Sequence, residues 1–462
     1  MAGTEALVSL DRDAPRLGEQ LINELRTALR SGRLTAGTRL PSTRDLAADL
    51  VISRGLAVQA YEQLTAEGLL VSRRGAGTIV AGTAGQRPPT SGSSVTAGSD
   101  PLRPAAVPPL HPGSPDPALF PRAAWRRAYQ DALRDLPDGG LGYGDPTGLP
   151  ELRVELAAYL GRVRAAMVDA SSLVVTTGAS QALALLAIAL RDAGETAIGV
   201  EDPGSEPIRI HLTTHGLRPV PIPVDTDGLV VSELLAAGVR AVVVTPAHQF
   251  PLGHVLAPTR RAALLAWARD VGGLVIEDDY DAEFRYDRDP VGTMQFLGPD
   301  VVALVGTVSK ALAPALRLGW VAPPPAWRER IGELKFAADG GGPALEHAAF
   351  ARFLSSGSYD RHLRRSRRIY RQRRDEVVNA LAEHLPHARV SGIAAGLHLV
   401  VEIPGIDDRN VTERARSAGL LPMPLSASRA RTDGPPGLLI GYGAHSRDVT
   451  TAAIRTLAEL IG

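Results

Sequence analysis

Cysteine is absent from the 462-residue chain, which excludes disulfide scaffolds, thiolate metal sites and cysteine nucleophiles. No metal site is expected. Long apolar runs are missing as well. The richest, Ala182–Leu190, is too short to cross a bilayer, and no charged N-terminal stretch leads into an apolar one. The expectation is a cytoplasmic protein without membrane contact. Net charge is also lacking, because 50 basic residues offset 50 acidic ones, so overall balance carries no message about nucleic acid. Lysine is nearly absent: of the 50 basic residues only Lys310 and Lys335 are lysines, which leaves 48 arginines. Arginine replaces lysine on most surfaces, but not where an amine must become a nucleophile. A lysine that persists in this background is therefore a candidate for chemistry.

What is present is enough apolar chain, 44% of residues, for a folded protein of more than one domain. Three zones separate. Residues 1–81 show short helical patterns and a hairpin. Residues 82–115 are dominated by Gly, Pro, Ser, Thr and Ala and read as a flexible linker. Across 116–462, apolar strand-like runs alternate with helical patterns, the mark of an α/β unit with a mainly parallel sheet.

In the first zone Leu17, Leu21, Leu25 and Leu29 recur every four residues, giving an amphipathic helix over Arg16–Arg30. Ser42 is placed to cap a second helix ending near Leu50, with Asp45 reaching back as in a capping box. Ser53 caps a third, Arg54–Glu67, with Leu56, Ala60, Tyr61 and Leu64 on its buried side. Two short strands, Leu69–Ser72 and Thr78–Ala81, flank a basic turn. Three helices and a basic hairpin make a winged helix-turn-helix, whose third helix enters the major groove of DNA. The ordered elements Leu40-Pro41-Ser42-Thr43-Arg44, Ser53-Arg54, Ala60-Tyr61 and Arg73-Arg74-Gly75-Ala76-Gly77-Thr78 resemble the GntR family of regulators. That resemblance implies Arg44, Ser53 and Arg54 as DNA contacts, with Arg73 and Arg74 on the wing. One departure is local: the turn before the third helix is Val51-Ile52, where the family has a glycine.

In the third zone the strand Leu173–Thr176 runs into Thr177-Gly178-Ala179-Ser180-Gln181 and a helix. A strand, a glycine turn and a helix N-terminus suit a phosphate. Gly273–Ile276 ends in Glu277-Asp278-Asp279-Tyr280-Asp281, carboxylates at the carboxyl end of a strand, where doubly wound sheets bind ligands. Val301–Val305 leads into Gly306-Thr307-Val308-Ser309-Lys310, and Arg317 follows seven residues later. A Schiff-base lysine needs a partly desolvated pocket, a phosphate needs a cation, and a pyridine cofactor needs a carboxylate at its nitrogen. Each requirement has a candidate here. Lys335 has no such company and is expected at the surface.

These motifs, with Gly142-Tyr143-Gly144-Asp145-Pro146 and Ser309-Lys310-Ala311-Leu312-Ala313-Pro314, resemble a fold-type I aminotransferase. With the GntR-like head, the whole resembles the MocR (GabR-like) regulators. The resemblance implies pyridoxal 5'-phosphate (PLP) carried on Lys310, and Asp278 at the pyridine nitrogen, with Asp279 as the alternative. It also implies Tyr280 at the phenolic oxygen and Ala179, Ser180, Thr307 and Arg317 around the phosphate. Tyr143 would reach a neighbouring subunit's phosphate, which implies a homodimer with shared sites; the resemblance further implies a head-to-tail arrangement, which family members often adopt. The fold implied is a winged helix-turn-helix plus a fold-type I domain, with a mainly parallel large sheet and a smaller α+β subdomain.

Two positions depart from the family. Ser205 stands where an aromatic stacks on the pyridine ring, and Leu439 stands where an arginine grips the substrate's α-carboxylate, with Arg209 or Arg431 as possible substitutes. His248–Gly253 replaces the Asn-Pro-x-Gly of aminotransferases. A buried carboxylate without a charged partner costs several kcal/mol. The expectation is therefore a transcription regulator that binds promoter DNA in response to PLP or to an amine or amino acid condensing with it. The alternative is an active aminotransferase with a DNA-binding head, and the missing arginine weighs against turnover.

Overall fold

Leucines at four-residue intervals build α1, Leu17–Arg30, and bury Leu21, Leu25 and Leu29. The computed structural model describes residues 8, 10–11, 15–73, 77–82, 107–287, 291–431 and 434–462, and the chain divides into the units Met1–Pro104 and Ala105–Gly462. In the first unit, α1 packs with α2 (Thr43–Asp49), α3 (Arg54–Ala66) and the antiparallel hairpin of β1 (Leu70–Arg73) and β2 (Gly77–Val80). The strands lie one residue from the expected bounds. The Ser42 hydroxyl accepts from the Asp45 N–H at 3.2 Å and donates to the Asp45 carboxylate at 2.7 Å. Ser53 caps α3 by accepting from the Leu56 N–H at 3.4 Å. Ala57, Ala60, Tyr61 and Leu64 form the buried face of α3. Leu56, expected there, is only half-buried.

The turn without glycine does reach the left-handed region: Val51 has φ +49°. A β-branched side chain there is strained by about 1–2 kcal/mol, and Val51, 70% exposed, gains little packing in return. Glycine relieves the strain but adds about 0.5–1 kcal/mol of chain entropy. Val51→Gly should therefore raise the stability of the first unit by up to about 1 kcal/mol, read as a higher urea midpoint. A lower midpoint would refute the strain.

In the second unit the strands are β3 (Val174–Thr176), β4 (Ala197–Asp202), β5 (Arg218–Asp225), β6 (Gly228–Leu229), β7 (Ala241–Val244), β8 (Leu274–Asp279), β9 (Val302–Thr307) and β10 (Gly319–Ala322). They form one sheet in the order β3-β10-β9-β8-β7-β4-β5-β6. Its centre, β9-β8-β7-β4-β5, is parallel, while β10 and β6 run antiparallel to their neighbours. The continuous apolar runs of β7, β8 and β9 are buried, as a sheet covered on both faces requires. Helices that position the site are α4 (Arg122–Asp135), α5 (Pro150–Arg164), α6 (Ala179–Asp192) and α7 (Glu206–Thr214). A second, antiparallel sheet joins β11 (Arg389–Ser391), β12 (His398–Glu402), β13 (Met423–Pro424) and β14 (Gly437–Gly441) in the order β11-β12-β14-β13. A mainly parallel large sheet beside a small α+β subdomain is the expected fold.

Two expectations are corrected. The linker does not extend to 115. Leu110 is buried in the core of the small sheet, its carbonyl accepts from the Gly441 N–H at 2.9 Å, and Pro109 accepts from Leu421 at 2.8 Å. Backbone pairing with the end of β14 holds a stretch whose side chains offer little to pack. Residues 83–106 of the expected linker lie outside the described residues. Lys335 is not at the surface: it is fully buried, with its Nζ 2.6 Å from the Asp339 carboxylate one turn on. Asp339 also accepts from Gln181 at 2.7 Å, so the charge is compensated where it is buried.

Candidate cofactor site and DNA-reading face

The carboxyl ends of β3, β8 and β9 open onto a cavity of roughly 450 Å³. At one end, β3 passes through Thr177 and Gly178 into the first turn of α6. Gly178 has φ +95°, and a Cβ there would stand 3.2 Å from the Arg317 guanidinium. Glycine thus lets that cation lie against the helix N-terminus, where Arg317 Nη2 donates to the Thr177 carbonyl at 2.7 Å. Ala179, Ser180, Thr307, Ser309 and Arg317 all line this end. Hydroxyls, a helix N-terminus and a guanidinium form a cradle for a phosphate.

At the other end, successive residues of β8 face opposite sides of the sheet. Asp279 turns away and makes a bidentate pair with the buried Arg164 of α5, with both N–O distances 2.9 Å. Asp278 faces the cavity, and its Oδ1 is buried without a hydrogen-bond partner. Burial, then the charges of Asp279 and Asp281, push its carboxyl up to about 7, against the opposing pull of Lys310. Of the two carboxylates left open by the sequence, Asp278 is the one that lines the cavity. The Tyr280 hydroxyl lies 3.1 Å from His248 Nδ1 and 3.1 Å from the His248 carbonyl. His248 Nδ1 in turn lies 3.0 Å from the Asp281 carboxylate.

Between the two ends stands Lys310. Its Nζ donates to the Gly113 carbonyl at 2.6 Å. Burial lowers its pKa, opposed by Asp281 and Asp278, which favours the neutral amine a nucleophile needs. An orphaned carboxylate oxygen, a half-buried amine, a phenol and a phosphate cradle around one cavity fit PLP. His111, Pro112 and Gly113 also line it, and the sequence reading had placed them in the linker. His248, Glu201, Phe250 and His398 were likewise given no role. The run His248–Gly253 was noticed, but its contacts come from residues distant in sequence.

Comparison with known proteins agrees with this geometry. Residues 114–416 match the family model "Aminotransferase class I and II", and residues 17–80 match "Bacterial regulatory proteins, gntR family". The chain is 34% identical over 96% of its length to the HTH-type pyridoxine biosynthesis transcriptional regulator PdxR of Corynebacterium glutamicum, 95% of which is covered. It is 33% identical over 94% of its length to the probable rhizopine catabolism regulatory protein MocR of Rhizobium meliloti, 92% of which is covered. The chain belongs to the MocR-type regulators of the GntR family. Among solved structures, an archaeal alanine:glyoxylate aminotransferase superposes with a TM-score of 0.70 at 26% identity, covering 77% of this chain and 90% of the other. A kynurenine aminotransferase of Pyrococcus horikoshii gives a TM-score of 0.69 at 26% identity, covering 77% of this chain and 91% of the other.

As a MocR-type protein it is a DNA-binding transcription regulator with a PLP-binding domain of aminotransferase fold. Its reader presents Arg44 in the first turn of α2, and Ser53 and Arg54 at the start of α3, all exposed. The Ser53 hydroxyl is engaged in its cap. Arg74 and the side chain of Arg73 lie outside the described residues. Tyr143 is fully exposed and does not line the cavity of its own chain. Among the described residues no helix is long and apolar enough to cross a membrane.

The two departures from the MocR pattern have structural consequences. Ser205 lines the cavity and caps α7, accepting from the Ile208 N–H at 3.4 Å. Leu439 is fully buried in β14 with Val400 and Leu425, behind the cavity-lining Phe250 and Met423, and does not itself line the cavity. Neither suggested substitute supplies the missing charge. Arg209 donates to the carbonyls of Gly204, Ala427 and Ser428 at 3.0–3.2 Å. Arg431 has an exposed side chain, and only its backbone N–H reaches Asp202. Among the described residues Arg317, in the phosphate cradle, is the one arginine lining the cavity.

Proposed function

We propose that promoter binding by this regulator responds to occupancy of the cavity, and that the site senses PLP, or an amine without an α-carboxylate, rather than turning over amino acids. The observation that carries this reading is the composition of the cavity wall, which pairs a full set of cofactor-holding groups with no arginine beyond the phosphate cradle. An α-carboxylate would enter a largely apolar space containing Glu201 and Glu206, where among the described residues no arginine outside the phosphate cradle offsets its desolvation. The relative that is 34% identical is named for pyridoxine biosynthesis, which favours PLP itself as the effector.

Bound PLP supplies an aldehyde open to amines and an electron-withdrawing ring. The chain's own residues do the rest. Lys310 would present its amine to the aldehyde, Asp278 would hold a proton at the pyridine nitrogen, and Tyr280, held by His248, would lie at the phenolic oxygen. Arg317 and the start of α6 fix the phosphate. Tyr143, projecting from its own subunit, would complete the partner's cradle in a head-to-tail homodimer.

The test is the affinity of the full-length protein for a promoter duplex, measured by fluorescence anisotropy with and without PLP. Wild type should change affinity about tenfold or more on loading, a coupling of about 1.4 kcal/mol. Lys310→Ala should lose the yellow colour of the loaded protein and respond less than about twofold. Equal affinities for loaded and empty wild type would end the sensing reading. Sustained conversion of an amino donor with an oxo acid would favour the aminotransferase instead.

A further inference from the structure

The long helix Ser358–His384 carries eight arginines between positions 361 and 374. Arginine accounts for 48 of 462 residues, roughly one in ten, so compositional bias does not explain eight in fourteen. Their distribution around the helix is uneven. Tyr359, His362, Ser366, Tyr370, Val377 and Leu381 form the buried face. Arg373 turns inward to Asp116 at 2.7 Å, and Arg374 reaches Asp375. Arg361, Arg364, Arg365, Arg368 and Arg371 are all exposed. The spacing i, i+3, i+4, i+7, i+10 puts them on one stripe, opposite the buried face.

Among the described residues none of these five makes an ion pair, and Arg361 alone has a side-chain hydrogen bond, to the Ser358 hydroxyl at 2.8 Å. Asp360, the nearest acid in the first turn, is engaged by Arg162 at 2.8 Å. Five like charges on one helical face repel one another, and each i,i+4 pair costs a few tenths of a kcal/mol. The stripe thus weakens its own helix unless a polyanion covers it. It extends about 15 Å at 1.5 Å per residue, and duplex DNA presents a charge about every 1.7 Å of its axis. Several phosphates therefore fall within its reach.

We infer that this stripe is a second DNA-contacting surface, on the PLP-binding unit itself, which grips the backbone of duplex DNA without reading its sequence. An acidic protein is the competing occupant. DNA is favoured because the chain already binds it and because guanidinium groups match phosphates bidentately.

The test uses PLP-loaded full-length protein and a random-sequence duplex, so that only phosphate contacts are measured. Four proteins are compared across a salt series: wild type, a stripe variant (Arg364→Gln, Arg365→Gln, Arg368→Gln, Arg371→Gln), a reader variant (Arg44→Gln, Arg54→Gln), and the combination. Each neutralised contact should lower the slope of log K against log salt by about 0.9. The stripe variant should therefore lose about 3 to 4 from the slope in both backgrounds, with PLP uptake unchanged. The corresponding fourfold Arg→Lys variant should keep the slope, which separates charge from folding. A wild-type slope in the stripe variant would overturn the assignment and leave an acidic protein as the occupant.

Discussion

Asp278→Asn should stabilise the cofactor-free protein near pH 8, have little effect near pH 4, and weaken PLP retention at least about tenfold. The cause is the orphaned, buried carboxylate. Its pKa is raised from 3.8 to about 7. Below about pH 4 the group is protonated in both the folded and unfolded chain and contributes nothing. Between about pH 4 and 7 the unfolded chain ionises while the folded chain resists, so stability falls as pH rises, and above about pH 7 the loss is constant. A shift of this size corresponds to a penalty on the order of 4 kcal/mol. Asparagine removes the charge but leaves a buried amide without a full set of partners, which returns about 1–2 kcal/mol of the gain. A net stabilisation of about 2–3 kcal/mol near pH 8 remains. Glu201, Glu277 and Glu283 are also pushed up to about 7 by burial; Glu277 and Glu283 are common to both proteins and cancel in the difference, whereas Glu201, raised in part by the charge of Asp278, is relieved in the same direction. PLP retention moves the opposite way because a neutral amide cannot hold a proton on the pyridine nitrogen. Thermal melts of cofactor-free protein at the two pH values and a PLP titration measure both sides. A melting shift equal at both pH values, or undiminished PLP affinity, would show that Asp278 is not the cofactor's acid.

The DNA reader was legible because its signals are local. Ser42, Ser53 and the leucine period of α1 act within a turn or two of themselves, and the structure displaces the strand bounds by a single residue. The cofactor groups were legible for a related reason: each lies at a strand's carboxyl end, where topology gathers ligands whatever the intervening chain. What escaped depends on partners far away in sequence. The choice between Asp278 and Asp279 turns on Arg164, 115 residues earlier, and nothing within the Glu277–Asp281 run reveals which carboxylate that arginine takes. Gly113 reaches Lys310 across 197 residues using only its carbonyl, which every residue has, so composition assigned it to a linker. Lys335 looked solitary because nothing in the sequence marks Asp339, one helical turn away, as its buried partner. Its burial depends on the contact of Asp339 with Gln181, across 158 residues. Leu439 shows the converse: its position in the pattern flagged a missing charge, and its burial among Val400 and Leu425 shows an apolar cluster there instead.

Arg164→Ala should be among the most destabilising single substitutions in the PLP-binding unit, at about 3–5 kcal/mol. Arg164 is 1% exposed and Asp279 8%, and the two form a bidentate pair in the interior. Arg164 also donates to the Val291 carbonyl, while its own carbonyl accepts from Thr293 at 3.0 Å. The guanidinium thus ties the end of α5 both to the end of β8 and to the chain that follows. Removing it leaves a buried carboxylate beside Glu277 and Glu283, which already lie within its field. The penalty is that of an uncompensated charge, not the value of the ion pair, and this makes a sharper expectation possible. The double variant Arg164→Met, Asp279→Leu should recover at least half of the loss, because replacing both partners by apolar groups of similar size is often near neutral. Its Asp278 should still face the cavity, so PLP retention should return with stability. Urea unfolding of the wild type, Arg164→Met, Asp279→Leu and the double variant gives the coupling directly. A single-variant loss below about 1 kcal/mol would mean that solvent reaches Asp279. A double variant as unstable as Arg164→Ala would mean that Arg164 acts through its carbonyl contacts rather than by neutralising the acid beside the cofactor's own.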